Sequence, residues 1–263
     1  QVAAWQLCLN KFEEYHGRVV LPALQIGAVW KPKQVEFLWD SLMRGLPIGS
    51  FLVAPYIEQA KRKNMLFSEK EKCGDNKETP QYHLLDGQQR ANAIALAFLN
   101  PWAEKNSKND IWPPAALWLE LAPTKNGGSR RFVFKIVTRS HPWGYKTTNP
   151  DERLGSASYR KALKAFEEAS GQPEFKPGKI PLQYSWPWDA VAPVPFSFII
   201  EAVEACKDDK RTVKDELLTR VRKLPFWDKW EDADKTTIWK EKVEQAIDAI
   251  DGNSQVSRMH DAI

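Results

Sequence analysis

The chain has 263 residues, of which 43% are hydrophobic and 27% charged, so it has the composition of a globular protein and the length for one large or two smaller domains. No apolar run approaches the roughly 18 residues that a membrane-spanning helix requires, so we expect no transmembrane segment. The formal net charge of +4 is mild and its basic residues are interleaved with acidic ones, so charge alone does not indicate nucleic-acid binding. Cys8, Cys73 and Cys206 form no CxxC pair, which favours a reducing, cytoplasmic location and argues against a zinc site.

The first part of the chain alternates short strands with helices. A strand is expected at residues 18–22, and Lys31-Pro32 opens a helix with one apolar stripe that ends at Gly45. Trp30 and Trp39, at the start of this helix and within it, are expected to be core residues rather than ligand contacts. The continuous apolar run at residues 51–54 predicts a strand that is buried on both faces.

Residues 82–99 form the best-defined local pattern, a short buried strand, a turn at Asp86-Gly87 and a helix with apolar residues at helical spacing. Asp86 occupies the position of a helix N-cap, and Gly87 permits a positive φ or the close approach of a ligand. Gln88, Gln89 and Arg90 fill the first turn, where an Arg is favourable when an anion binds at the helix N-terminus. Two interpretations are open: a phosphate cradle, or an Arg90 that merely pairs with Asp86 while the Gln side chains face water.

The second half of the chain begins with a predicted hairpin and continues with helices. Strands are expected at residues 115–121 and 131–137, and the loop at 138–145 is dense in side chains of the kind that bind ligands. A Pro-rich connector at 173–195 separates one predicted helix from the last two. These three helices are expected at residues 159–166, 213–224 and 238–250.

Familiar catalytic motifs are missing from the sequence. The four histidines show no HxxxH or HExxH spacing, there is no GxxxxGK[ST] or GxGxxG, and His141 has no Ser or Cys partner at a telling local spacing. Asp86 is the one acid positioned to bind a metal ion or to orient a water beside a phosphate, and capping the helix is an equal alternative for it.

Four segments, taken together and in order, resemble the N-terminal domain of the GmrSD type IV restriction endonuclease family, which is similar to the ParB and sulfiredoxin superfamily. The resemblance covers about residues 15–145, and its most specific part is the Asp-Gly-Gln-Gln-Arg motif. The matching segments are Leu21-Pro22-x-Leu24-Gln25-x-x-x-Val29-Trp30, Gln34-Val35-x-x-Leu38-x-x-Ser41, Gly45-x-Pro47-Ile48-Gly49-Ser50-Phe51 and Leu85-Asp86-Gly87-Gln88-Gln89-Arg90.

The resemblance implies a nucleoside triphosphatase coupled to the recognition of modified phage DNA, with the cutting done by a separate nuclease domain, often of the HNH type. It assigns catalytic roles to Asp86, Gln88, Gln89 and Arg90, and a low-ranked metal role to Asp86. GTP, ATP and CTP are not distinguished, and Mg²⁺ is compatible with the site. Nucleotide binding is expected from Gly87, Gln88, Arg90, Gln25 and Arg139.

One position departs from the family pattern. Ile26 stands where the family usually has an Arg directly after the Gln of its first motif. The departure is consistent with weakened hydrolysis, with a different ligand, or with compensation by Lys31, Lys33 or Arg139.

We therefore expect an α+β fold with a small mixed β-sheet and packed helices over residues 1–148, followed by a mainly helical portion at 149–263 that continues into a further region. The expected function is nucleotide binding and hydrolysis as the sensor or regulatory part of an anti-phage DNA restriction system. The expected partners are DNA and a downstream HNH-type nuclease domain or partner chain, with a homo-oligomer left open. One alternative is a non-catalytic ParB-like module that binds DNA or protein, and a second is a nuclease that acts through this fold. The second is weaker because no two-metal carboxylate cluster is visible.

Overall fold

The computed structural model describes residues 19–22, 30–57, 62–63, 81–103, 115–123, 131–171, 180–206, 212–229 and 239–250. Within these ranges the fold is α+β, as predicted, with two small sheets and six α-helices. No helix in the described ranges is both long and apolar enough to cross a membrane. In chain order the elements are β1 Val19–Pro22, α1 Pro32–Met43, β2 Leu52–Pro55, β3 Arg62–Lys63, β4 Tyr82–Asp86, α2 Gln88–Ala97, β5 Ala115–Glu120, β6 Val133–Thr138, α3 Ser156–Ser170, β7 Pro193–Pro195, α4 Phe196–Ala205, α5 Val213–Val221 and α6 Trp239–Asp248.

The first sheet is mixed and has the strand order β2-β4-β1-β3. Strand β4 pairs in parallel with β1 and antiparallel with β2, so the strand that precedes the Asp86-Gly87 turn lies inside the sheet. The prediction that the apolar run at 51–54 is buried on both faces is wrong. Leu52 is 57% exposed and Val53 45% exposed, because β2 is an edge strand of this sheet.

The second sheet is antiparallel and has the order β6-β5-β7. The predicted β5–β6 hairpin is confirmed by a continuous register from Ala115 opposite Thr138 to Glu120 opposite Val133, while its Asn-Gly-Gly connection lies outside the described residues. The Pro-rich connector ends in β7 and is followed directly by α4, and the sequence pattern predicted neither element. Strand β7 tolerates its two prolines because it lies at an edge of the sheet.

A buried carboxylate fixes β7 and the segment before it against β5. Glu120 accepts backbone hydrogen bonds from Ala122 (3.0 Å) and Ala192 (2.8 Å) through Oε1, and from Val191 through Oε2. Burial raises the pKa of Glu120, and the three N–H groups together with the Lys135 charge act in the opposite direction. Glu120 is therefore a structural acid that ties distant segments of chain together.

The main hydrophobic core extends through most of the described chain, from α1 to α6. Trp39 of α1 is at its centre, 1% exposed, packed against Phe134 and Phe196 and donating its indole N–H to Ala93 O of α2 at 2.9 Å. The burial of Trp39 confirms the prediction that it is a core residue. Its hydrogen bond to Ala93 O fixes α2 against α1. The boundary at residues 148–149 stays a prediction, although β7 and α4, which follow it, share a sheet and a core with the elements that precede it.

Candidate functional site

The turn between β4 and α2 is built on Gly87. Its φ of +96° lies in the left-handed region, and it is the N-cap residue of α2, with Ala91 N donating to Gly87 O at 2.8 Å. The predicted positive φ is thus confirmed, whereas the prediction of Asp86 as N-cap is wrong. Asp86 is the last residue of β4, and no side chain caps the helix, because the glycine conformation itself makes the change of direction.

Arg90 is held from three sides. Its Nη2 donates to Asp86 Oδ2 at 2.9 Å, its Nη1 donates to Ile48 O at 3.0 Å, and its guanidinium carbon lies 5.4 Å from the centre of the Phe51 ring. The Arg90 side chain is 17% exposed, while that of Asp86 is 72% exposed. The guanidinium is therefore fixed by the protein, and the carboxylate is its solvent-facing partner.

Two glycines leave the space in which Arg90 and Phe51 lie. A Cβ at Gly49, whose φ is +86°, would lie 2.2 Å from Arg90 Nη1, and a Cβ at Gly87 would lie 2.4 Å from Phe51 Cδ1. The close approach that the sequence predicted at Gly87 is thus made by the chain's own Phe51. One part of the alternative interpretation, the Asp86–Arg90 pair, is present in the structure.

The other part of that interpretation, Gln side chains that face water, is wrong for Gln88. Gln88 is buried with 9% exposure, and Gln89 lines a cavity of about 290 Å³. The cavity lies between α1, α2, the start of β5 and the end of β6. It is lined by Trp30, Pro32, Val35, Gln89, Asn92, Ala93, Leu96, Ala115, Ile136, Thr138, Ser140 and Tyr145.

Asn92 is the most unusual member of this lining. This residue is 7% exposed, and within the described part of the chain neither its amide nitrogen nor its amide oxygen has a hydrogen-bond partner. Buried polar groups are normally paired, so an unpaired amide in a cavity wall is a candidate ligand contact. Gln89 and Asn92 are three residues apart and lie on the same face of α2.

The turn after β6 supplies a polar wall, as the ligand-type residues at 138–145 suggested. His141 Nδ1 lies 3.0 Å from both Ser140 Oγ and Tyr145 Oη, and the His141 and Tyr145 rings stack with centroids 4.6 Å apart. Burial lowers the pKa of His141, with the charge of Arg153 acting in the same direction, and burial raises the pKa of Tyr145. At neutral pH the Tyr145 phenol in this wall is therefore protonated, and the His141 imidazole stacked on it is neutral.

Two exposed cations are chain neighbours of lining residues. Arg139 lies between the lining residues Thr138 and Ser140 in the chain, and Lys31 lies between Trp30 and Pro32. Lys33, the third residue expected to compensate for Ile26, is 3.7 Å from Asp151 in an ion pair. Arg139 and Lys31 are therefore the two of these three cations that lie between two lining residues in the chain.

The predicted site residues thus fall into two groups joined by the first turn of α2. Asp86, Gly87 and Arg90 lie against the segment from Ile48 to Phe51, whereas Gln89 lines the cavity. Gln25 and Ile26 lie outside the described residues, and the roles assigned to all of these residues stay predictions. Tyr145 lies in the loop at 138–145 whose ligand-type side chains the sequence indicated. Asn92 and the cavity position of half-buried Trp30 were not predicted, and the helical spacing of Asn92 from Gln89 was the one available signal.

A metal site is less well supported than a nucleotide site. In the described part of the chain, no group of three or more His, Cys, Asp or Glu side chains is gathered in a way that could hold an ion. Asp86 is engaged by Arg90, so a divalent ion would depend chiefly on ligand oxygens from the substrate.

The fold and this site define an α+β domain with an Asp-Gly-Gln-Gln-Arg turn beside a ligand-sized cavity. Comparison with family models gives a match to the GmrSD restriction endonuclease N-terminal domain over residues 8–172, more than half of the chain. The chain therefore belongs to this family, as its motifs predicted. No curated protein and no solved structure matches the chain.

Proposed function

We propose that this domain binds a nucleoside triphosphate and hydrolyses it as the regulatory part of a DNA restriction system. One observation carries the proposal: the first turn of α2 joins the fixed Arg90 to a cavity of about 290 Å³ that Gln89 lines. This volume is close to the lower end of the roughly 300–1,000 Å³ that small-molecule pockets occupy. Family membership supplies the DNA restriction context.

The Asp86–Arg90 pair is compatible with phosphate binding. An i, i+4 ion pair with so exposed a carboxylate is worth only about 0.3–0.5 kcal/mol, whereas a hydrogen bond to a charged group contributes about 1.5–3 kcal/mol. A phosphate oxygen can therefore take the place of Asp86, while Ile48 O and Phe51 keep the guanidinium in position. The start of α2 adds the positive end of its helix dipole.

Hydrolysis requires a group that stabilises charge developing on the phosphate and a group that positions the attacking water. Arg90 supplies the first, because its geometry is set before the ligand arrives. Gln89 supplies the second, as a neutral amide at the cavity that can orient a water without holding a charge. Mg²⁺, when bound with the triphosphate, would neutralise phosphate charge beside Asp86.

The experiment is calorimetric titration of the whole 263-residue chain with ATP, GTP and CTP in Mg²⁺. We expect one binding site for at least one of the triphosphates and at least tenfold weaker binding by Arg90→Ala, since a charged hydrogen bond is worth more than the roughly 1.4 kcal/mol that corresponds to tenfold. Arg160→Ala is the matched control, because Arg160 lies on α3 and bonds Ser156 O of its own helix. Equal affinities for the wild type and Arg90→Ala would contradict the assigned role of Arg90.

The Asp86–Arg90 pair also favours a second candidate, a domain that binds its ligand without hydrolysing it. In that case Arg90 would remain paired with Asp86, and triphosphate and diphosphate would bind equally well. Binding of a triphosphate with no release of phosphate would replace the first proposal by this one.

A further inference from the structure

The cavity beside α2 has the chemistry of a site for a flat, uncharged heterocycle. Trp30 and Tyr145 supply aromatic surface, Val35 and Leu96 supply aliphatic surface, and Asn92 is the buried amide in the wall. None of the described residues that line it is charged, and the exposed cations Lys31 and Arg139 are chain neighbours of lining residues. A ligand with an apolar, hydrogen-bonding body and an anionic tail fits this arrangement.

The amide of Asn92 determines which hydrogen-bonding groups the uncharged part of the ligand must carry. A primary amide presents one acceptor and two donor hydrogens in a plane, so its full complement is a planar edge that carries a donor and an acceptor side by side. Nucleobases have such edges, and the bidentate pairing of Asn with adenine is the familiar example. Among the described residues neither amide atom of Asn92 has a hydrogen-bond partner, so a base that reaches them displaces no described protein contact. Both atoms are almost fully covered in the ligand-free chain, so the wall around Asn92 must open by a small side-chain movement as the base enters.

We propose that the cavity is a nucleobase site in which Asn92 reads the edge of the base. This rests on the proposed function when the base belongs to a nucleoside triphosphate, whose phosphates would then extend toward Arg139 and the start of α2. The same chemistry is offered by a base that has swung out of a DNA duplex. The cavity recognises the base in either case, and the experiment below distinguishes a base of a nucleoside triphosphate from a base of DNA.

The central variant is Asn92→Leu, which keeps the branching of the side chain, makes it somewhat larger and removes its hydrogen-bonding groups. It should weaken the binding of nucleosides and of their triphosphates by roughly 10- to 100-fold, the equivalent of two lost hydrogen bonds. The ligand-free variant should be more stable than the wild type toward urea, because an unpaired buried amide is replaced by an apolar group. An amide with a purely structural role would give a less stable protein.

Asn92→Ala, which adds no bulk, is used if Asn92→Leu does not fold. Gln245→Leu is the matched control, since it makes the same kind of change on the exposed side of α6, where Gln245 donates to Glu241. Titrations use adenosine, guanosine, cytidine and uridine, their triphosphates, inorganic triphosphate, and two DNA duplexes, one fully paired and one with an extrahelical base.

Several outcomes separate this inference from the proposed function. Loss of nucleoside and nucleotide binding in Asn92→Leu, together with higher stability, supports both. Unchanged triphosphate binding by Asn92→Leu, or inorganic triphosphate competing as well as any nucleotide, overturns the nucleobase site and leaves triphosphate binding standing. Binding of the extrahelical-base duplex alone, dependent on Asn92, supports the nucleobase site and overturns the proposed function. No binding of any of these ligands by the wild type overturns both.

Discussion

Replacement of Gly87 by Ala tests the packing that fixes Arg90 and the turn. The new Cβ would lie 2.4 Å from Phe51 Cδ1, 3.0 Å from Phe51 Cε1 and 3.3 Å from Arg90 Nη2, at a backbone φ of +96°. We expect a loss of about 1–2 kcal/mol from the left-handed backbone and about 1–3 kcal/mol from overpacking against Phe51. The free energy of unfolding should therefore fall by about 2–5 kcal/mol.

Gly45 provides the matched control, because its φ is +68° and a Cβ there would meet nothing within 4 Å. Gly45→Ala should lose only the backbone part, about 1–2 kcal/mol. Urea unfolding of both variants, repeated in a Phe51→Ala background, forms a double-mutant cycle. In that background the extra cost of Gly87→Ala over Gly45→Ala should largely disappear. Equal costs for the two glycine variants, or an excess cost that persists without Phe51, would refute the assigned packing.

Two further predictions concern stability. Glu120→Ala leaves three N–H groups without their acceptor, and the buried one, on Ala192, should alone lower the unfolding free energy by about 1–3 kcal/mol, with less from the part-buried ones on Ala122 and Val191. Glu120→Gln keeps an acceptor for Ala122 and Ala192 and should lose clearly less. Chemical denaturation that ranks the two variants equally would contradict this role of Glu120. The pKa of His141 in the folded chain is lowered from its ordinary value of about 6.5. Near and below that value the unfolded chain therefore binds a proton at His141 more readily than the folded chain does. This difference makes the free energy of unfolding fall as the pH falls. The decrease in unfolding free energy between about pH 7.5 and about pH 5.5 should be smaller in His141→Gln than in the wild type, and identical decreases would show that His141 is not responsible.

The local pattern around the motif was predictable because its signals are local. The spacing of apolar residues after residue 90 identifies α2, and a glycine at position 87 predicts the positive φ. The N-cap was misassigned by one residue, since Asp86 still pairs in β4 with Leu52. Sequence alone could not show that the strand ladder would extend to Asp86.

Errors elsewhere arose where burial depends on neighbours distant in sequence. The apolar run at 51–54 has the composition of an inner strand, and only the strand order places β2 at an edge. Strand β7 was missed because its prolines suggest a loop, although an edge position tolerates them. The cavity is assembled from Trp30, Asn92 and Tyr145, which belong to three separate parts of the chain, so no window of the sequence contains it.

Release of inorganic phosphate by the purified 263-residue chain is the decisive measurement for the claim, proposed above, that this domain is a nucleoside triphosphatase. With Mg²⁺ and ATP, GTP or CTP, with and without DNA, the wild type should release phosphate from at least one nucleotide. Arg90→Ala should lower the turnover number by about 10²–10³-fold, as the loss of a preorganised electrostatic donor does elsewhere. Arg160→Ala should retain the wild-type rate. The claim is contradicted if no nucleotide is hydrolysed under any of these conditions, or if Arg90→Ala hydrolyses it as fast as the wild type.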